Sequence, residues 1–174
     1  MAAFFLVVRG ATVAASGDPE RGLLEMHRGI AEWQATRSGF SIPLFLAFIA
    51  EAELARGDAT TALRMIDDAL GRIAADGERL YEAELHRLRG ETLLARGEAD
   101  TTGAEASFLR AIDVARDQRA QSFELRAALS LARLWQRGGR AGDGRRLLAD
   151  VVAMFTEGFE TRDLCEANRL LEAT

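Results

Sequence analysis

The side chains of this sequence best suited to hold another molecule are arginines and glutamates. All 22 basic residues are arginine and none is lysine. This removes a phosphate-loop lysine, a Schiff-base lysine and a lysine general base together. Arginine instead offers a planar, permanently charged fork that fits carboxylate and phosphate groups. Glu84, Arg87 and Glu91 follow one another at steps of three and four residues, which places them on one face of a helix. Arg126, Arg133 and Arg137 share a face further on, and Leu44, Ala47 and Glu51 do so earlier.

Other chemistry finds little support. His27 and His86 fall in different helical stretches and on unlike faces, and His86 reads as a buried, satisfied side chain. The single Cys165 has no histidine near it in sequence, and no His/Cys set has metal-ligand spacing. The acids Asp67 and Asp68, Glu82 and Glu84, and Glu51 and Glu53 read as solvated helix faces. The stretch from Gly138 to Arg146 is glycine-rich, but no strand precedes it, so it reads as a turn and not a phosphate loop. Trp33, Trp135, Phe108, Phe155 and Phe159 read as packing anchors. The chain is therefore expected not to be an enzyme and to use no metal or cofactor.

The elements that position these residues come from a repeat. Gly17, Gly57, Gly97 and Gly139 lie 40, 40 and 42 residues apart. Seven residues before each stands a small residue: Gly10, Ala50, Gly90 and Ala132. After each comes a small–apolar–small–apolar set: Gly22/Met26/Gly29/Ile30, Ala62/Ile66/Ala69/Leu70, Ala104/Phe108/Ala111/Ile112 and Gly144/Leu148/Val151/Val152. Self-similarity at such a period predicts stacked supersecondary units with an extended binding surface. No run of alternating β-branched residues predicts a strand. The pattern predicts helices over Ala3–Ser16, Pro19–Thr36, Pro43–Arg56, Ala59–Ala75, Leu80–Arg96, Gly103–Gln118, Ser122–Arg137, Asp143–Phe155 and Arg162–Glu172. Asp18 and Asp58 are expected to cap the helices they precede, and Ser41-Ile42-Pro43 to open another in a similar way. Stacking gives one domain over 1–174, with hairpins at about 1–38, 39–77, 78–119 and 120–156 and a capping helix at 161–173.

Composition narrows the partners. The chain has 174 residues, 48% apolar and 28% charged, with a net charge of −5. An acidic balance argues against nucleic acid as a direct partner. The apolar run Phe4–Val8 is too short to cross a bilayer and lacks the flanks of a signal peptide. One cysteine fits a reducing compartment, so a cytoplasmic location is expected.

The repeat spacing resembles the tetratricopeptide pattern, with a longer period. Three stretches carry a closer likeness: Tyr81 to Glu91, Glu124 to Trp135 and Phe155 to Leu164. They resemble the C-terminal tetratricopeptide-like region of large bacterial signalling proteins. In those proteins a cyclase or DNA-binding domain precedes an AAA-type ATPase, and helical repeats follow. The resemblance implies an all-α, right-handed superhelical array that regulates, senses or scaffolds and binds protein or peptide, either in a larger chain or as a freestanding adaptor. The chain begins inside a first hairpin, with Phe4, Phe5, Leu6 and Val7 near its end, which fits a piece of a longer array or a short standalone relative; the apolar face this leaves is expected to be covered by a second copy, as a homodimer, or to be a site of aggregation.

In tetratricopeptide arrays the first helix of each hairpin lines the concave face. That register brings Phe4, Val7 and Ala11, then Leu44, Ala47 and Glu51, then Glu84, Arg87 and Glu91, then Arg126, Leu129, Arg133 and Arg137 onto one groove. It runs from apolar to acidic to basic. Two readings of its charges stay open. Glu84 faces Arg126 and Glu91 faces Arg133 at equal register, so they form inter-repeat ion pairs; or Glu51, Glu84, Arg87, Glu91, Arg126 and Arg133 cradle a peptide or small anionic ligand.

Overall fold

A computed structural model describes residues 2–37, 39–97 and 101–172. These residues form nine α-helices and no strand: α1 (Ala2–Ala15), α2 (Pro19–Ala35), α3 (Ile42–Ala55), α4 (Ala59–Asp76), α5 (Glu82–Ala95), α6 (Thr101–Gln118), α7 (Gln121–Arg137), α8 (Ala141–Val152) and α9 (Arg162–Glu172). The anticipated helices are present, with ends shifted by up to three residues. The longer third turn, from Gly97 to Thr102, falls partly on residues 98–100, outside the described residues.

The turns follow from their residues. Gly17, Gly57, Gly97 and Gly139 have φ of 104°, 88°, 73° and 79°, a region that costs other residues strain. The Asp18 carboxylate accepts from the Arg21 N–H at 3.1 Å, and Asp58 accepts from the Thr61 N–H at 2.9 Å, so both caps form as expected. Ser41 does not cap in that way. It is held at φ 65° and makes no side-chain cap bond; its backbone N–H donates to the Glu78 carboxylate at 2.9 and 3.0 Å, from the α4–α5 connection. Gly144, the small position of the last repeat, lies inside α8 against Ala132; Gly142, expected in the turn before that helix, also lies inside α8.

Within each hairpin the repeat places one large apolar side chain at the centre. Met26, Ile66 and Phe108 are fully buried and Leu148 nearly so. Each such side chain contributes about 1.5–3 kcal/mol by leaving water. Small partners admit them. A Cβ on Gly90 would lie 2.7 Å from Phe108 Cδ1, and one on Gly10 would lie 2.7 Å from the Gly22 carbonyl oxygen.

Hairpins then stack unequally. Each first helix touches the next first helix, in the order α1, α3, α5, α7 and on to α9. Among the described residues the second helices of successive hairpins bring no Cα atoms within 8 Å of one another. The row of first helices is therefore the tighter, inner row, and the array curves around it. One apolar cluster runs from α1 to α5 and another from α5 to α9. On α1, Val7 is in the core, Phe4 packs against it, and Phe5 and Val8 remain exposed.

The close approach at Gly90 and open space at Gly71 give opposite expectations for one substitution. Gly71 is exposed within α4, and a Cβ there would meet nothing within 4 Å. Gly71→Ala should stabilise by roughly 0.5–1 kcal/mol through helix propensity. Gly90→Ala should destabilise by roughly 1–3 kcal/mol through overpacking against Phe108. Urea unfolding midpoints of the two variants check both signs.

Candidate functional site

The inner row gathers the charged residues. Glu51 comes from α3, Glu84, Arg87 and Glu91 from α5, and Arg126 and Arg133 from α7. Not every residue of that register lines a surface. Val7 and Ala47 are fully buried and Leu129 nearly so, because α1, α3 and α7 roll those positions into the core between rows. The surface is formed by neighbours one turn away or one face over.

Glu84 is the centre of the cluster and is only 2% exposed. Arg87 donates to it from Nε at 3.0 Å and from Nη2 at 2.8 Å, in the bidentate geometry. Arg126 Nη2, on the next first helix, stands 3.0 Å from the same Glu84 Oε1. The inter-repeat pair anticipated between Glu84 and Arg126 is thus formed. Glu51 joins the same group: its Oε1 is 3.7 Å from Arg87 Nη2 and 3.6 Å from Arg126 Nη2. Glu91 lies 3.5 Å from Arg87 Nη1 and accepts from the Ser130 hydroxyl at 2.6 Å. The pair anticipated between Glu91 and Arg133 is not made. Arg133 turns to Glu166 on α9, while Ser130 occupies the position facing Glu91.

The electrostatics follow from this crowding. Burial opposes the charge of Arg87, but its bonds and attraction to Glu84, Glu91 and Glu51 outweigh that and raise its pKa. Burial and the nearby Glu84 charge raise the pKa of Glu51, against the pull of Arg87 and Arg126. The carboxylates read as solvated divide in two. Asp67 and Asp68 are exposed, but Glu53, Glu82 and Glu84 are buried. Each buried one has an arginine: Arg87 for Glu84, Arg56 at 2.7 Å for Glu53 and Arg79 at 2.6 Å for Glu82. His86 is half-buried, and burial lowers its pKa. Cys165 is half-buried and donates to the Phe159 carbonyl at 3.5 Å.

Two openings flank the cluster. On one side a cleft of about 230 Å³ between α1 and α3 is walled by Ala11, Ala14, Ala52 and Phe48, with Glu51 at its edge. On the other a polar pocket of about 170 Å³ is lined by Arg87, Arg126, Ser130, Arg133, Arg162 and Glu166, with Asp163 beside it. Arg162, Glu166 and Ser130 were missed by sequence reasoning. Ser130 stands one helical turn after Arg126, so the register contained it. Arg162 and Glu166 enter because α9 packs beside α7 and continues the inner row. Carrying the register one helix further would have found them.

An aromatic rail borders the charges. Tyr81, just before α5, contacts Phe48 of α3 and Phe123 of α7 edge-on, with ring centroids 6.0 and 5.4 Å apart. Trp33 donates from its indole N–H to the Phe40 carbonyl at 2.8 Å, and its ring packs on Phe4 and Phe45. Trp135 donates to Glu105 at 2.8 Å, and the Arg140 guanidinium lies over its ring at 4.4 Å.

Neither a protein-family model nor a curated protein matches the sequence. Solved structures do. A Podosopora anserina protein described as a putative kinesin light chain with nearly identical TPR-like repeats superposes with a TM-score of 0.69 at 16% identity, covering 95% of this chain and 82% of that one. A glutamine-to-methionine variant of that protein gives a TM-score of 0.70 at 16% identity, with coverage of 95% and 81%. The fold is a TPR-like repeat array. The TPR-like likeness accounts for the hairpins and inner row; at this identity it carries the fold alone. No described helix is long and apolar enough to cross a membrane.

Tyr81 is the only tyrosine, so its titration is directly visible. Burial, with the charges of Glu84 and Glu51, pushes its pKa up to about 12. In the unfolded chain it returns to roughly 10. Between these values the native state keeps a proton that the unfolded state has lost, so stability falls as pH rises through that window. Tyrosinate absorbance should give a midpoint near the raised value in the native protein and near the ordinary one in denaturant.

Proposed function

We propose that this chain is a protein-binding TPR-like module whose inner row holds an acidic peptide segment of a partner. One observation carries the reading. Arg126, Arg133 and Arg162 keep at least partly exposed side chains around one polar pocket, and Glu51 links that pocket to an apolar cleft. An extended segment laid across α3, α5, α7 and α9 has an apolar recess at one end and arginine forks at the other. Within the six-residue set, Glu84 is structural, Arg87 and Arg126 are shared between structure and ligand, and Arg133 is shared between Glu166 and the ligand. Glu51 and Glu91 border it.

A peptide library selected against the chain tests this. Binders should be enriched in Asp and Glu. Arg162→Glu and Arg133→Gln should each weaken them at least about threefold, as for a lost exposed charge contact. Arg87→Glu and Arg126→Glu are poorer probes, because they uncouple buried Glu84. Selected peptides whose titrations ignore both Arg162→Glu and Arg133→Gln would sink the reading.

The resemblance of Tyr81 to Glu91, Glu124 to Trp135 and Phe155 to Leu164 supports a place for this module in the C-terminal regulatory region of a bacterial signalling ATPase or cyclase, without catalysis of its own. Exposed Phe5 and Val8 support a second copy on α1. Detection of the native polypeptide in its source cell separates the contexts. A species far above 19.0 kDa is expected for the signalling protein, whereas one near 19.0 kDa makes the chain a freestanding cytoplasmic adaptor.

A further inference from the structure

We propose that the cleft between α1 and α3 takes a basic side chain of the bound segment, lysine or arginine, with its methylene stem against the alanines and its charged head on Glu51. This rests on the peptide-binding reading above and adds which residue enters the apolar end of the groove.

Every other step of the inner row is crossed by an ion pair. Glu51 of α3 faces Arg87 of α5 at 3.7 Å, Glu84 of α5 faces Arg126 of α7 at 3.0 Å, and Arg133 of α7 meets Glu166 of α9. Among the described residues, the step from α1 to α3 has no such pair. Arg9 is the only charged residue of α1, and it turns to Glu25 of α2 at 2.8 Å. Beside Glu51, α1 presents Ala11, Ala14 and Ala15. The space that a longer side chain would fill is left as the cleft of about 230 Å³. That is below the roughly 300–1,000 Å³ of sites that enclose a whole small molecule, and it suits one side chain.

Charge selects the occupant. Arg87 and Arg126 face Glu51, Glu84 and Glu91, leaving one carboxylate in excess, whereas Arg133 and Arg162 in the next pocket are balanced by Asp163 and Glu166. The excess falls on Glu51. Glu84 holds a bidentate pair and Glu91 takes the Ser130 hydroxyl at 2.6 Å, while the arginine contacts of Glu51 are 3.6 and 3.7 Å long. Burial and the Glu84 charge raise the pKa of Glu51 despite those two arginines, so the site gains from one more positive charge. Whatever fills the cleft covers the Glu51 carboxylate, which is 48% exposed. A neutral apolar side chain would strip water from that charge and return nothing. An acidic one would add to the excess. A lysine or arginine supplies what is missing: its methylenes lie along Ala11, Ala14, Ala52 and Phe48, and its head reaches the carboxylate.

The test titrates side-chain analogues into the whole chain at low salt and follows alanine methyl resonances by NMR. n-Butylammonium stands for lysine, n-propylguanidinium for arginine, 1-butanol for a neutral side chain and butyrate for an acidic one. The Ala11, Ala14 and Ala52 methyls should shift with at least one cation, at about threefold higher affinity than with 1-butanol, the factor for one exposed charge contact. The tighter cation names the residue, and butyrate should bind weakest. E51Q should bring cation and alcohol to equal affinity. Ala55→Leu, at the exposed rim of the cleft, should weaken every analogue by filling the space. Both variants alter exposed positions, and thermal melting that matches wild type shows that the site alone has changed. A cation preference that survives E51Q would overturn the proposal, as would 1-butanol binding as tightly as both cations, or shifts that Ala55→Leu leaves intact, or none at these methyls. Arg162→Glu and Arg133→Gln should not affect the analogues. Loss of cation preference while acidic peptides still bind therefore overturns the basic anchor alone, and the reverse result overturns the acidic-peptide reading and leaves the anchor standing.

Discussion

The charged face depends on one packing asymmetry: among the described residues, the backbones of first helices approach their successors within 8 Å at Cα and those of second helices do not. Close approach within each hairpin creates the stiff unit. Gly10 lies against Gly22, Gly90 under Phe108, and Gly144 against Ala132, so two helices meet at a distance that larger residues would wedge apart. Stacking those units along one edge only brings α3, α5 and α7 side by side. Residues some forty positions apart in sequence then become neighbours on one surface.

Burial decides what charges can do on that surface. A carboxylate taken out of water is costly unless its oxygens are paired and hydrogen-bonded. Glu53, Glu82, Glu84 and Glu124 each meet that requirement through an arginine at 2.6–2.8 Å. Among the described residues no buried side-chain nitrogen or oxygen lacks a hydrogen-bond partner. An all-arginine complement suits this task, because one guanidinium has donors enough to serve several carboxylates at once. Arg87 serves Glu84, Glu91 and Glu51 together.

The division between scaffold and surface explains which readings of the sequence failed. Helix positions, caps at Asp18 and Asp58, and the buried set Met26, Ile66, Phe108 and Leu148 were legible because they repeat at fixed offsets within one hairpin. Their physics is local: a turn needs a positive φ, a cap needs a carboxylate three residues before an N–H, and a helix face needs a period. The Glu84–Arg126 pair was legible too, since equal register on adjacent first helices sufficed. Ser41 departed because a carboxylate from another hairpin, Glu78, captured its backbone N–H. Glu53 and Glu82 departed because a helical wheel cannot say which neighbouring arginine will fold over a charge.

By itself, the sequence determined an all-α array of helical hairpins, the side of each hairpin that is packed, and the arginine–glutamate makeup of its inner row. Periodicity and small-residue spacing are properties of the chain that survive without any partner. Only the tertiary structure decided that Glu84 is buried while Glu51 is half-exposed, although both lie on the inner-row stripes of first helices. It also decided that Arg133 serves Glu166 and not Glu91, and that α9 brings Arg162 to the same pocket. Those outcomes depend on how far one hairpin is rotated and shifted against the next. That rotation is set by the sum of many side-chain contacts across the stack, and no single offset in the sequence encodes it.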